Sequence, residues 1–340
     1  METLVDDIGS FPLPADTGRD NYGKAYELAR EAILQGKDIS KDDFLQRHFC
    51  DVVLGSFRIK LNSGLDIANF PQHYDGIKQV GDALHTAMEN GSFLVEEKKT
   101  VFPEVHLIKQ NAKALSQEFG KKILLRVSIF GPIELYLHEV GKIPYPDVLD
   151  GMAETIRRFA KSTVLNTKYI QTSAVSIDEP SLGINNIQAS NELVCEVLEK
   201  AFDFQGTTRQ IHLHSAAGLH DLLSIKNLDV LSFEFAASPK NIEAVPKNIL
   251  EKADKQIRVG ISRTDIDSIL AELYEKDSTK PSAAQMVEPI ETIRKRYRVA
   301  KEKYGDRMTF TGPDCGLGGW PSQDAATLLL KRTVEAVKTA

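Results

Sequence analysis

The sequence predicts an α/β chain closed into one barrel of eight parallel strands, and three observations carry that expectation. Eight short apolar runs end at Gly, Pro, Asp or Ser. Longer stretches of helical period with charged faces separate them. The first run ends in Gly9-Ser10-Phe11-Pro12, with a single glycine where a doubly wound sheet usually shows a Gly-rich phosphate turn. Each parallel crossover needs a helix, and closure removes the exposed edges, so a (β/α)8 TIM barrel accommodates the pattern.

In chain order, the first strand is expected at 3–8. Residues 12–62 read as a long, largely helical excursion that decorates one end of the barrel. Strands follow at 65–68 and 123–129. An amphipathic helix spans 148–165, where Val148, Leu149, Met152, Ile156, Phe159 and Val164 recur at mostly three- and four-residue steps. The remaining strands are expected at 174–177, 210–214, 230–235, 257–261 and 308–311. Helices are expected at 191–202, 241–252, 283–303 and 322–339, several opened by Ser, Asn or Pro. No repeat, low-complexity tract or linker divides the chain, so 1–340 is read as one barrel domain.

Composition narrows the function. Hydrophobic side chains make up 42% of the 340 residues and charged ones 26%, enough for a large core. The 42 Lys and Arg against 48 Asp and Glu leave a net charge of −6 that gathers in no block, which excludes nucleic acid as a partner. Cys50, Cys195 and Cys315 are too few and too scattered for a disulfide framework, which fits a cytoplasmic protein. Met1 leads into Glu2 and Asp6-Asp7, and no apolar run approaches the ~18 residues of a membrane span, so neither export nor membrane anchoring is expected.

In such a barrel the chemistry belongs at the carboxyl ends of the strands. There the sequence places Asp178-Glu179-Pro180, His212-Leu213-His214, Glu234, and the run from Pro313 through Asp314 and Cys315 to Gly319. His212 and His214, two apart on a strand, point to one face. With Glu234 and Cys315 they offer the nitrogen, oxygen and sulfur donors that zinc collects. Spacing alone leaves a hydrogen-bonded polar layer equally open. Cys50 and Cys195 read as small buried hydrophobes. His48, His85, His106 and His138 fall on helical stretches, and His220 is held in reserve. Gly316–Gly319 lacks the Lys-Ser/Thr ending of a nucleotide loop, so close backbone approach or a tight turn is expected there.

Four segments, in order, resemble the catalytic domain of cobalamin-independent methionine synthase and its single-barrel "core" relatives. These are Asp7-Ile8-Gly9-Ser10-Phe11-Pro12, Ser176-Ile177-Asp178-Glu179-Pro180, Ile211-His212-Leu213-His214 and Gly312-Pro313-Asp314-Cys315-Gly316-Leu317. The resemblance implies a barrel of the fold shared by methionine synthase and uroporphyrinogen decarboxylase (UROD). It implies methyl transfer to a small thiol, homocysteine giving methionine, and so a place in methionine biosynthesis. Zinc ligands fall on His214, Glu234 and Cys315. Ile8, Gly9, Ser10 and Asp178 fall on positions that hold the amino acid. The short relatives imply a methylated corrinoid donor, methylcobalamin or a corrinoid protein, in place of folate.

Three departures stand beside the resemblance. The family's His-x-Cys reads His214-Ser215-Ala216, so one zinc ligand is lost and His212 or water would fill the gap. Its Asp-Gly-Glu after the second strand is replaced by Asn69-Phe70-Pro71-Gln72. Its Asp-Ile-His reads Asp265-Ile266-Asp267, which puts Asp267, with Asp178, at the expected catalytic acids. Two alternatives are a metal-free UROD-like enzyme, which would need arginines such as Arg126, Arg258 and Arg263, and a non-catalytic barrel that binds an amino acid or a corrinoid protein.

Overall fold

The computed structural model describes residues 2–276 and 280–340. Eight strands form one sheet: β1 (Leu4–Val5), β2 (Ala68–Asn69), β3 (Ile123–Phe130), β4 (Ile170–Asp178), β5 (Thr208–Leu213), β6 (Val230–Phe233), β7 (Gln256–Ser262) and β8 (Met308–Pro313). Every neighbouring pair is parallel, in the order β1-β8-β7-β6-β5-β4-β3-β2. A parallel bridge between Asp6 and Ile67 joins the two ends, so the sheet curls into a barrel with helices outside. No described helix is long and apolar enough to cross a membrane.

The helices form where apolar period and a start signal coincide. Pro146–Ser162 begins on a proline at its first position and buries Leu149, Met152, Ile156 and Phe159 against the barrel. Burial of each such side chain contributes about 1.5–3 kcal/mol at most. Between β1 and β2 run Arg19–Leu34, three short helical turns and Asp51–Asn62.

Two expected helices are each broken in two. Residues 241–252 divide into Lys240–Ala244 and Lys247–Ala253, and residues 283–303 into Ala283–Met286 and Ile290–Tyr304. Pro246 and Pro289 stand at the breaks, where a missing N–H and a restricted preceding residue end the first piece. Cys195 is half-buried, with its thiol 3.4 Å from the Asp221 carbonyl, and so differs from the buried hydrophobe expected. The side chain of His220 lies outside the described residues.

The barrel interior is layered. Ile67, Val230 and Phe310 form an apolar plug toward the amino ends of the strands. Above it the Asp6 carboxylate accepts from Arg126 Nη1 and Arg258 Nε, each at 2.6 Å, with all three side chains fully buried. Lys60 and Asp7, also buried, pair at 2.7 Å, and Lys60 donates to the Gly9 carbonyl at 2.7 Å. That ammonium ties Asp51–Asn62 to the loop after β1, which opens on the functional rim.

Candidate metal centre and adjoining cavity

His212, the next-to-last residue of β5, is buried, with Nδ1 3.1 Å from Ser232 Oγ on β6. Its Nε2 is buried and has no hydrogen-bond partner. If Nδ1 carries the proton toward Ser232, the Nε2 lone pair is free to coordinate. His214 follows two residues on, and its Nε2 lies 3.4 Å from Glu234 Oε1 and 3.5 Å from Cys315 Sγ. One donor atom from each of His212, His214, Glu234 and Cys315 fits within 4.8 Å of the others. Two donors on one tetrahedral zinc, at about 2.0–2.3 Å each, sit roughly 3.3–3.7 Å apart. The two short contacts match that spacing.

Electrostatics point the same way. Burial pushes the Cys315 thiol up to about 12, helped by the Glu234 carboxylate. Burial likewise lifts Glu234 to about 8, with Asp314 and Asp265 adding to it. Both imidazoles are held below their usual range by desolvation. Four potential ligands thus face one another in a site whose two acids resist ionisation, and a bound cation would reverse that for both. An orphaned imidazole nitrogen, a borderline-soft donor set and matching spacing fit zinc.

Beside this cluster lies a cavity of about 400 Å3, whose lining includes Ile8, Gly9, Ser10, Gln72, Asp178 and Cys315. Cys315 is the side chain common to both. Gly9 adopts φ +56, and a Cβ there would stand 2.7 Å from Gln72 Oε1, so only glycine suits the turn. Ser10 is fixed by Leu317 N–H on its carbonyl (2.8 Å) and Gly318 N–H on its hydroxyl (3.1 Å). A Cβ at Gly316 or Gly318 would collide with Ser10, which is the close approach expected of that run. Asp178 accepts from Ser176 Oγ at 2.6 Å, and burial raises its carboxyl to about 6.

Asp267 does not join the others. It is exposed in the first turn of Ile266–Lys276 and absent from the cavity lining. Nor do the arginines. Arg126 and Arg258 are occupied with Asp6, and Arg263 pairs with Asp265 and Glu272. Ala216 is buried and offers the centre no donor.

Two residues of the cavity wall were not expected there: His73, which no motif marked, and Gln72, which stood out only as a departure from the family pattern. His73 is buried between the Phe11 carbonyl (2.8 Å) and Ser56 Oγ (2.9 Å), and burial depresses its pKa to about 3. Gln72 Nε2 contacts Gln79 Oε1 at 2.6 Å, and Gln79 Nε2 donates to Glu104 Oε1 at 3.1 Å. Both follow Pro71 directly, where a polar pair after a strand was the available signal.

No protein-family model matches the chain, and no curated protein does. Among solved structures it is similar to a B12-independent methionine synthase from Shewanella sp. W3-18-1, in complex with selenomethionine, at 14% identity and a TM-score of 0.59, covering 100% of this chain and 98% of that one. It is similar also to a protein from Listeria monocytogenes assigned as a vitamin B12-independent methionine synthase, at 14% identity and a TM-score of 0.58, covering 99% and 98%. At that identity the likeness shows the barrel fold.

Proposed function

We propose that this barrel is a zinc-dependent methyltransferase that moves a methyl group onto a small thiol, homocysteine first among them, from a methylated corrinoid. One observation carries the reading: four donors of zinc-binding type converge within 4.8 Å, and one of them, Cys315, also lines the cavity with Ile8–Ser10 and Asp178. The selenomethionine bound by the similarly folded Shewanella protein supports a ligand of methionine type.

His214, Glu234 and Cys315 would hold the metal, with His212 in the place left by Ala216. When bound, the metal supplies the positive charge that keeps a substrate sulfur deprotonated near neutral pH. The chain's own residues then do the rest. The backbone of Ile8–Ser10 and the carboxylate of Asp178 hold the amino acid, so that the sulfur faces the incoming methyl carbon. A methylated corrinoid would supply the methyl carbon and keep the electron pair of its own methyl bond, and the substrate sulfur held by these residues would accept that carbon with its lone pair. The test is transfer from methylcobalamin to a panel of thiols, followed by product formation. Methionine formed from homocysteine supports the reading; binding without turnover across the panel favours a non-catalytic barrel.

A further inference from the structure

Two side chains that coordinate nothing tie the three rim loops carrying the ligands to one another. Asn241, buried at the start of the chain's return from β6, donates from Nδ2 to the carbonyls of both His214 and Glu234, each at 2.8 Å. Its Oδ1 accepts from the Ala216 N–H at 3.1 Å. One amide therefore bridges the backbones that bear His214 and Glu234. Asp314, fully buried, does the same on the other side. Its carboxylate accepts from the N–H groups of Phe235 (3.0 Å), Ala236 (3.0 Å) and Ala237 (2.7 Å), the residues directly after Glu234. Asp314 is itself the neighbour of Cys315. A Cβ at Gly260 would collide with this carboxylate, so β7 leaves the space in which it sits.

We infer that Asn241 and Asp314 are positioning residues of the metal centre, which lock the spacing of His214 to Glu234 and of Glu234 to Cys315 before any ion arrives. The inference rests on the proposed metal reading. The loss of a thiolate at Ala216 makes this pre-ordering matter more, since a weaker ligand set tolerates less misplacement. Ala216 itself is held by Asn241 through its backbone, so the loop that lacks the ligand still keeps its path.

The test compares zinc affinity, by chelator competition, in the full-length protein and its Asn241→Asp and Asp314→Asn variants. The first change keeps an acceptor for Ala216 and removes both donors; the second removes acceptor capacity while keeping the shape. Each should weaken zinc binding by about 10- to 100-fold and shift the visible absorption of the cobalt-substituted protein, while each metal-free variant, though destabilised by its lost hydrogen bonds, still folds and unfolds cooperatively. Wild-type affinity in both variants would overturn the inference and leave the metal reading standing. A variant that fails to fold without metal would show a structural role instead. A wild-type chain that binds no zinc would defeat the metal reading itself.

Discussion

Cys315 Sγ lies 3.5 Å from His214 Nε2, although 101 residues separate them in the chain. β5 and β8 are not neighbours in the sheet, so the contact forms across the barrel mouth over β6 and β7. The curl of the sheet through β6 and β7 brings these donors together, which makes the centre a product of topology as much as of sequence.

Zinc binding should release protons. Without metal, Cys315 at about 12 and Glu234 at about 8 both hold a proton at pH 7, whereas the two imidazoles are already neutral. About two protons should leave per metal at that pH, and affinity should rise with pH up to about 8 and beyond. Calorimetry in buffers of different ionisation enthalpy counts them. A count near zero would mean that Cys315 and Glu234 do not bind the ion.

His212→Ala should weaken zinc binding by more than about 10-fold. The same substitution removes no cavity-lining residue, so a competing ligand of that cavity should bind unchanged in the absence of metal. Unaltered zinc affinity would show that water or another group completes the centre.

Asp6→Asn should destabilise the fold by about 3–5 kcal/mol, because it strips the carboxylate that pairs directly with the buried guanidinium groups of Arg126 and Arg258. Chemical denaturation measures this directly. A loss under about 1 kcal/mol would mean that water or another group neutralises the arginines.

Glu104 is fully buried, and burial lifts its carboxyl from 4.5 to about 8. Because the folded value lies above the unfolded one, its stabilising contribution is complete below pH 4.5 and is lost as pH rises toward 8. Glu104→Gln should therefore gain on the wild type by about 1.4 kcal/mol per pH unit across that window. Equal pH dependence in the two proteins would place the Glu104 titration elsewhere.

The strands were the most legible part of the sequence. Val127, Ile177, Ile211 and Val259 belong to compact apolar runs, and each is buried on its strand. Helix continuity was less so, because the apolar period of 241–252 and 283–303 continues through Pro246 and Pro289 while the backbone does not. His212, His214, Glu234 and Cys315 stood out by residue type and by their place at strand ends. Asp267 stood out only through the family resemblance, and one residue beyond Ile266 is enough to turn a side chain on a new helix outward to solvent. Asn241 could not be found at all. Its role depends on two carbonyls and an N–H from other loops, and backbone groups leave no mark in a sequence.

The central claim is that the strand ends bind one metal ion through Cys315. Metal analysis of protein purified without chelator, beside its Cys315→Ser variant, tests it most directly. About one zinc per wild-type chain and a much smaller amount in the variant is the predicted result. A metal-free wild type after purification in zinc-containing buffer, or equal zinc in both proteins, would contradict it.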